Sequence, residues 1–150
     1  MSHPESPDHP PRPASAVDRQ RLDLLREALL AVHKALLDAE RGRFEQAHGP
    51  VAGASAFLQL AIHHDWFAWL QPVTATVVRI DERTMSRRAP LLAHEVPGLV
   101  AEAHALLRPD AEGTPYQRQL DVLLREVPGV AVTLRAVVQG MAGVDRGARG

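Results

Sequence analysis

The sequence predicts an all-α fold, a helical bundle of four main helices with short additional helices. Alanine and leucine dominate the chain, and both favour helices. Strand-forming aromatic residues are scarce, with three Phe and one Tyr. Large apolar side chains recur at steps of three and four residues, which places them on one face of a helix. The single β-branched run, residues 73–78 (VTATVV), follows the same period and is therefore assigned to a helix.

Length and composition describe one globular domain without cysteine chemistry. The chain has 150 residues, of which 45% are hydrophobic and 23% charged, so a core of ordinary size can form. The absence of cysteine excludes disulfides, thiolate zinc sites and iron–sulfur clusters. A net charge of -1 gives no general attraction for nucleic acid, so no nucleic-acid partner is predicted. No cofactor is predicted either.

The two ends of the chain differ in composition from its centre. Residues 1–14 contain five of the twelve prolines and almost no large apolar side chain, which predicts a disordered tail. Residues 143–150 predict a second tail, and residues 15–142 form the helical domain. No apolar run reaches the roughly 18 residues of a membrane-spanning helix, and residues 1–14 do not have the pattern of a secretory signal. A cytoplasmic location and no membrane partner are therefore predicted.

The first helix should begin after Ser15 and end near Ala47. Ser15 can cap the helix, and Asp18 favours its positive end. The main apolar stripe consists of Leu22, Leu25, Leu29, Val32, Leu36 and Ala39. The solvated face should contain Arg26, Glu27, His33, Lys34, Glu40 and Arg41. The apolar arc is wide, so this helix should contact at least two others.

Two helices are predicted between residues 56 and 85. Ser55 can cap a short helix at 56–62, and Asp65 can cap the helix that follows. The apolar positions of the longer helix are Trp66, Leu70, Val73, Val77 and Ile80. Pro72 removes one intrahelical hydrogen bond and should kink this helix.

The remaining helices start at prolines or at a capping box. Pro90 fits the first position of a helix that ends near residue 106 and is disturbed at 97–98. Thr114 and Gln117 form a capping-box pattern around Pro115, which is the clearest helix start in the chain. That helix should reach Val127, break at 128–129 and resume to residue 141. The word EVPG occurs at 95–98 and 126–129, which suggests the same local bend twice.

Residues 63–69 (HHDWFAW) form the most conspicuous candidate site. His63 and His64 are candidate metal ligands, but adjacent residues of a helix point about 100° apart and rarely share one ion. A solvated pair beside a helix cap is the competing interpretation. Trp66 and Trp69 are either core residues that join two helices or, if exposed, interaction residues, since Trp is common at binding hot spots.

Other chemical candidates lack the partners that their chemistry needs. Glu45 and His48 match one E-x-x-H element of a di-iron bundle, which requires two such elements and further glutamates. No nucleophile motif and no phosphate-binding loop is present, so the protein is predicted not to be an enzyme. Arg83, Arg87 and Arg88, near Arg79, are interaction candidates for an anionic partner. A stabilising interaction with the negative end of a helix dipole is the alternative role of these arginines.

Three segments of the chain resemble an uncharacterised bacterial family of small all-helical proteins. They are LREALLAVHKALLDAER at 25–41, DWFAWLQPVTATVVRIDE at 65–82 and LLRPDAEGTPYQRQLDVLLREVPGV at 106–130. Together they cover most of residues 20–130, and FAWL followed by Pro72 is their most distinctive part. The resemblance implies a bundle fold and a bacterial source, and it implies no activity, substrate or catalytic residue.

The expected function is that of a non-catalytic helical module that binds another protein or itself. Wide apolar helix faces combined with an absence of converging polar groups support this expectation. The alternative is a sensor that binds a small ligand or a metal at the corner formed by residues 63–69.

Overall fold

The computed structural model describes residues 10–148, and the side chains of residues 10–143. The all-α bundle predicted from the sequence is confirmed, and these residues contain no β-strand. The α-helices are α1 (Ala16–His48), α2 (Gly53–His63), α3 (Gln71–Met85), α4 (Val96–Leu106), α5 (Pro115–Glu126) and α6 (Pro128–Ala148). Two 3₁₀ helices, Asp65–Leu70 and Ala93–Glu95, precede α3 and α4.

Helix α1 is the central element of the bundle. It is 33 residues long and packs against α3, α4, α6 and the first 3₁₀ helix. Its buried apolar side chains are Leu22, Leu25, Ala28, Leu29, Val32, Leu36 and Phe44. Ser15 caps the helix and forms a capping box with Asp18, as predicted. The expectation that α1 contacts at least two other helices is confirmed.

Prolines lie at helix starts, and the predicted helix at 114–141 is divided into α5 and α6 at Pro128. Pro72 does not kink a continuous helix. It lies in the first turn of α3, where its missing N–H has no intrahelical acceptor. Pro97 occupies the same place in α4, and Pro128 starts α6, so both EVPG words mark helix starts. Pro90 lies before the second 3₁₀ helix, so its predicted position as a first helical residue is wrong.

Of the three helix caps predicted after Ser15, two are wrong and one is confirmed. Helix α2 begins at Gly53 with Ala52 as its N-cap, so Ser55 lies inside the helix and does not cap it. The first 3₁₀ helix has His64 as its N-cap and includes Asp65 as a helical residue. Thr114 caps α5 and forms the predicted capping box.

The structure describes residues 10–14 and 143–148 of the two predicted tails. Residues 1–9 and 149–150 lie outside the described residues. The Ala14 N–H donates to the Leu91 carbonyl (2.9 Å), and the Ala93 N–H donates to the Arg12 carbonyl (2.8 Å). Pro13 and Leu92 therefore form an isolated antiparallel bridge. Helix α6 continues to Ala148, past the predicted boundary at residue 143.

Among residues 10–148, no helix combines the length and the apolar composition that are needed to cross a membrane.

Candidate functional site

Aromatic rings gather where the last turns of α1 meet the first 3₁₀ helix. Phe44 is buried at their centre and stacks on His48, with ring centroids 4.4 Å apart. Trp66, Phe67 and His64 approach the Phe44 ring at 5.6, 5.7 and 5.1 Å. Phe44 and His48 share a helix face because they are four residues apart. We call these five residues the aromatic corner.

In both histidines of the aromatic corner, Nδ1 forms a hydrogen bond within the protein and Nε2 is left for other contacts. His64 Nδ1 lies 3.1 Å from the Trp66 N–H and accepts from it, so the proton of a neutral His64 is on Nε2. His48 Nδ1 lies 3.3 Å from the Phe44 carbonyl, and donation to that carbonyl leaves His48 Nε2 as an acceptor. When both rings are neutral, one offers a donor and the other an acceptor, with ring centroids 6.2 Å apart.

The structure places the two candidate metal ligands, His63 and His64, in different local surroundings. His64 belongs to the aromatic corner, whereas His63 ends α2, and both are exposed. Because His64 Nδ1 accepts a backbone hydrogen bond, only its Nε2 is available to a ligand. Residues 10–143 contain no group of three or more His, Asp or Glu side chains that could hold a metal ion. Glu45, of the E-x-x-H element, forms a 2.8 Å ion pair with Arg41.

An open pocket of about 710 Å³ lies between the end of α1, the loop after it and the inner side of α2. Its lining residues are Phe44, His48, Gly49, Pro50, Val51, Ala52, Ala56, Gln59, Leu60, His63 and His64. The polar side chains among them are three imidazoles and one amide. No carboxylate, hydroxyl or amine among the described side chains lines the pocket. Those side chains therefore supply neither a nucleophile paired with a base nor a general acid–base pair of carboxyls.

Glu40 is a buried carboxylate beside this corner, which corrects its predicted place on the solvated face of α1. Its exposed fraction is 2%. Arg43 donates to Glu40 Oε1 (2.8 Å), and Trp69 Nε1 donates to Oε2 (3.1 Å). The Trp69 ring in turn packs on Tyr116 at 5.5 Å. Glu40, Trp69 and Tyr116 thus link α1, the first 3₁₀ helix and α5 through polar and aromatic contacts.

Both tryptophans are half-buried, so neither matches an exposed interaction residue. Phe67 between them is fully buried. Trp66 Nε1 is buried and has no hydrogen-bond acceptor among residues 10–143. A buried N–H of this kind usually finds a partner, and its absence destabilises the fold. Both Trp66 and Trp69 pack against the buried core of the bundle.

Helix α2 is apolar but buries none of its eleven residues. Helix α4 has the same length and a similarly apolar composition, and it buries Val96, Leu99, Val100, Ala103 and Leu106. Leu58 and Ile62, one turn apart on α2, are 56% and 53% exposed. The helix carries no Asp, Glu, Lys or Arg. We call Leu58 and Ile62 the α2 face, and sequence reasoning did not single it out.

The predicted arginine cluster divides into paired and unpaired members. Arg83 binds both carboxylate oxygens of Glu95 at 2.8 Å, and Arg79 pairs with Glu102. The hydrogen bond from Arg83 is the main reason why the pKa of Glu95 falls to about 2, with a second contribution from the Leu92 N–H. Arg87 and Arg88 are exposed and have no partner among residues 10–143.

No known protein family, curated protein or solved structure matches this chain. The resemblance to a bacterial family of small helical proteins therefore stays a prediction.

Proposed function

We propose that this protein is a non-catalytic helical module that binds another protein chain through the α2 face, with a second copy of itself as the first partner to test. The observation that carries this proposal is the exposure of Leu58 and Ile62 on an uncharged apolar helix. A helix of this composition normally buries one face against the rest of the fold. Exposed contiguous apolar surface of this kind is typical of interaction sites.

The size of the α2 face predicts a weak association. Complete burial of a Leu or Ile side chain stabilises by about 1.5–3 kcal/mol. Because Leu58 and Ile62 are about half exposed, each would add about 1 kcal/mol on contact. A symmetric pair of α2 faces would contribute about 4 kcal/mol, close to the lowest estimates of the entropy cost of association. Neighbouring surface must add to the contact for a stable complex.

The proposal includes a cytoplasmic location in a bacterial cell, no nucleic-acid partner and no cofactor. The net charge of -1 supports the absence of a nucleic-acid partner. The pocket beside the aromatic corner supports a non-catalytic role, since its polar lining is limited to His48, His63, His64 and Gln59.

Light scattering coupled to size-exclusion chromatography tests self-association over a range of protein concentrations. The mass of the wild-type protein should rise above 16.4 kDa with concentration. The double variant Leu58→Glu with Ile62→Glu should remain monomeric. The matched control is Val78→Glu with Val132→Glu, which changes two valines that are 47% and 65% exposed on α3 and α6.

The control variant should associate like the wild type, because its substitutions lie outside α2. Two negative results together would overturn the proposal. The wild-type protein would have to be monomeric at every concentration, and it would have to capture no partner protein through Leu58 and Ile62. Equal loss of association in both double variants would also overturn it, since charge alone would then explain the effect.

A second candidate function is a small-ligand or metal sensor at the aromatic corner. The observation that favours it is the pocket of about 710 Å³ that His48, His63 and His64 line together. The double change His63→Ala with His64→Ala should abolish ligand or metal binding if this function is correct, and should leave self-association intact if it is not. Elemental analysis of the purified protein tests for a bound metal. Stability is measured in parallel, because His64 also caps a helix.

A further inference from the structure

A second apolar depression, with different chemistry, runs along α6. It has a volume of about 690 Å³ and lies where α6 faces the end of α4 and the last turns of α5. Its lining residues are His104, Leu107, Arg108, Pro109, Leu124, Ala131, Leu134, Arg135, Val138, Met141 and Ala142. We call it the α6 groove. It shares no residue with the α2 face.

The α6 side of the groove is one continuous helical stripe. Its residues share one side of the helix because they follow in steps of three or four, from 131 to 134 and 135, then to 138, then to 141 and 142. The stripe extends over three turns, which is about 16 Å at the helical rise of 1.5 Å per residue. Leu107 and Leu134 are buried at its floor, and Val138 is 43% exposed at its wall. The groove thus offers an elongated apolar surface.

The charged residues that line the groove are two arginines. Arg108 and Arg135 belong to its lining, and no Asp or Glu among residues 10–143 does. Arg108 and Arg135 are exposed and form no ion pair with any residue from 10 to 143. Arg26, Arg43 and Arg83, in contrast, each pair with a carboxylate. No ion pair among residues 10–143 therefore neutralises the two guanidinium groups beside this apolar floor.

We propose that the α6 groove binds a free single-chain anionic amphiphile, of which a medium-chain fatty carboxylate is the simplest example. The carboxylate accepts hydrogen bonds from Arg135 and Arg108, whose planar guanidinium groups suit two-oxygen anions. The alkyl chain lies on Leu134, Val138 and Met141, away from Arg135 along α6. This ligand site goes beyond the proposed protein-binding function and does not depend on it.

The size of the groove favours a small amphiphile over an acidic helix from another protein. Ligand pockets typically have about 300–1,000 Å³, and this groove lies within that range. A protein partner of standard size contacts roughly 20–30 residues on each side, whereas eleven line the groove. Binding of an acidic amphipathic peptide is therefore an alternative that the experiment must separate.

Isothermal titration calorimetry with dodecanoate, kept below its micelle concentration, tests the inference on the full-length protein. Dodecanoate should bind at one site per chain. Dodecyltrimethylammonium, with the same chain and opposite charge, should bind at least tenfold more weakly. Arg135→Gln and Arg108→Gln should each weaken dodecanoate binding about tenfold, which corresponds to about 1.4 kcal/mol. Val138→Glu, which adds a negative charge to the wall, should abolish binding.

The matched control is Arg118→Gln, because Arg118 is exposed, has no ion pair among residues 10–143 and lies on α5 outside the groove. It should bind dodecanoate like the wild type, and circular dichroism should find every variant folded. The inference is wrong if dodecanoate does not bind or if only an acidic peptide binds. It is also wrong if the cationic amphiphile binds equally well, or if Arg118→Gln weakens binding as much as Arg135→Gln does. The Leu58→Glu, Ile62→Glu variant should retain dodecanoate binding, so the failure of the α2 proposal and of this one can be told apart.

Discussion

Replacement of Glu40 by alanine should destabilise the protein more than any other single carboxylate change on α1. Glu40 is the acceptor for two side-chain donors, Arg43 Nη1 at 2.8 Å and Trp69 Nε1 at 3.1 Å. Its side chain is only 3% exposed, whereas that of Arg43 is 33% exposed. Removal of the carboxylate would leave the two donors in different situations.

The expected destabilisation follows from these two donors. Trp69 Nε1 would lose its acceptor beside the core, and an unsatisfied donor costs about 1–3 kcal/mol when it is buried. Arg43 can turn to water or to Glu126, 3.7 Å away, so its loss should be small. The free energy of unfolding should therefore fall by about 2 kcal/mol. For a chain of this size, that lowers the melting temperature by roughly 4–8 °C.

Urea denaturation followed by circular dichroism measures the change. Glu27→Ala is the matched control, because Glu27 is exposed on the same helix, and it should alter stability by less than about 0.5 kcal/mol. Glu40→Gln keeps an oxygen for Trp69 and should cost about half as much as Glu40→Ala. A double-mutant cycle with Trp69→Phe should give a coupling of about 1 kcal/mol or more. If Glu40→Ala and Glu27→Ala have the same stability, the argument about the buried carboxylate is refuted.

Two pH titrations test other contacts. The hydrogen bond from Arg83 lowers the pKa of Glu95 from its ordinary 4.5 to about 2, so the stabilisation is complete above 4.5 and is lost as the pH falls towards 2. The stability difference between the wild type and Glu95→Gln should shrink over that range, and a constant difference would contradict this account. Burial raises the pKa of Tyr116, the single tyrosine, above its ordinary 10.0, so stability should fall as the pH rises beyond 10. Phenolate absorbance should appear only together with loss of helical circular dichroism, and its appearance near pH 10 in a fully helical protein would refute the effect of burial.

Local signals in the sequence were sufficient for much of the fold. The caps at Ser15 and Thr114 were predictable because a hydroxyl followed three residues later by a carboxylate or amide satisfies the free N–H groups of a helix start. The apolar steps of α1 were predictable because residues three or four positions apart lie on the same face of a helix. Caps and apolar spacing are both properties of one segment, so that segment contains the information.

Features that depend on distant segments were not predictable in the same way. Glu40 was assigned to the solvated face because its burial depends on Trp69, 29 residues further along the chain. The Glu40–Arg43 spacing was the only local signal that could have drawn attention to it. The exposure of Leu58 and Ile62 was missed because an apolar helix is ordinarily assigned to the core. Whether α2 has a neighbour on its outer side depends on tertiary packing that its own residues do not encode.

The central position of α1 has a consequence for synthesis on the ribosome. Of the described helices, α1 emerges first and α6 last, yet the two pack against each other in the finished bundle. The apolar stripe of α1 therefore stays partly uncovered until nearly the whole domain has been translated. A nascent chain stalled before α6 would present that stripe to chaperones or to other nascent chains.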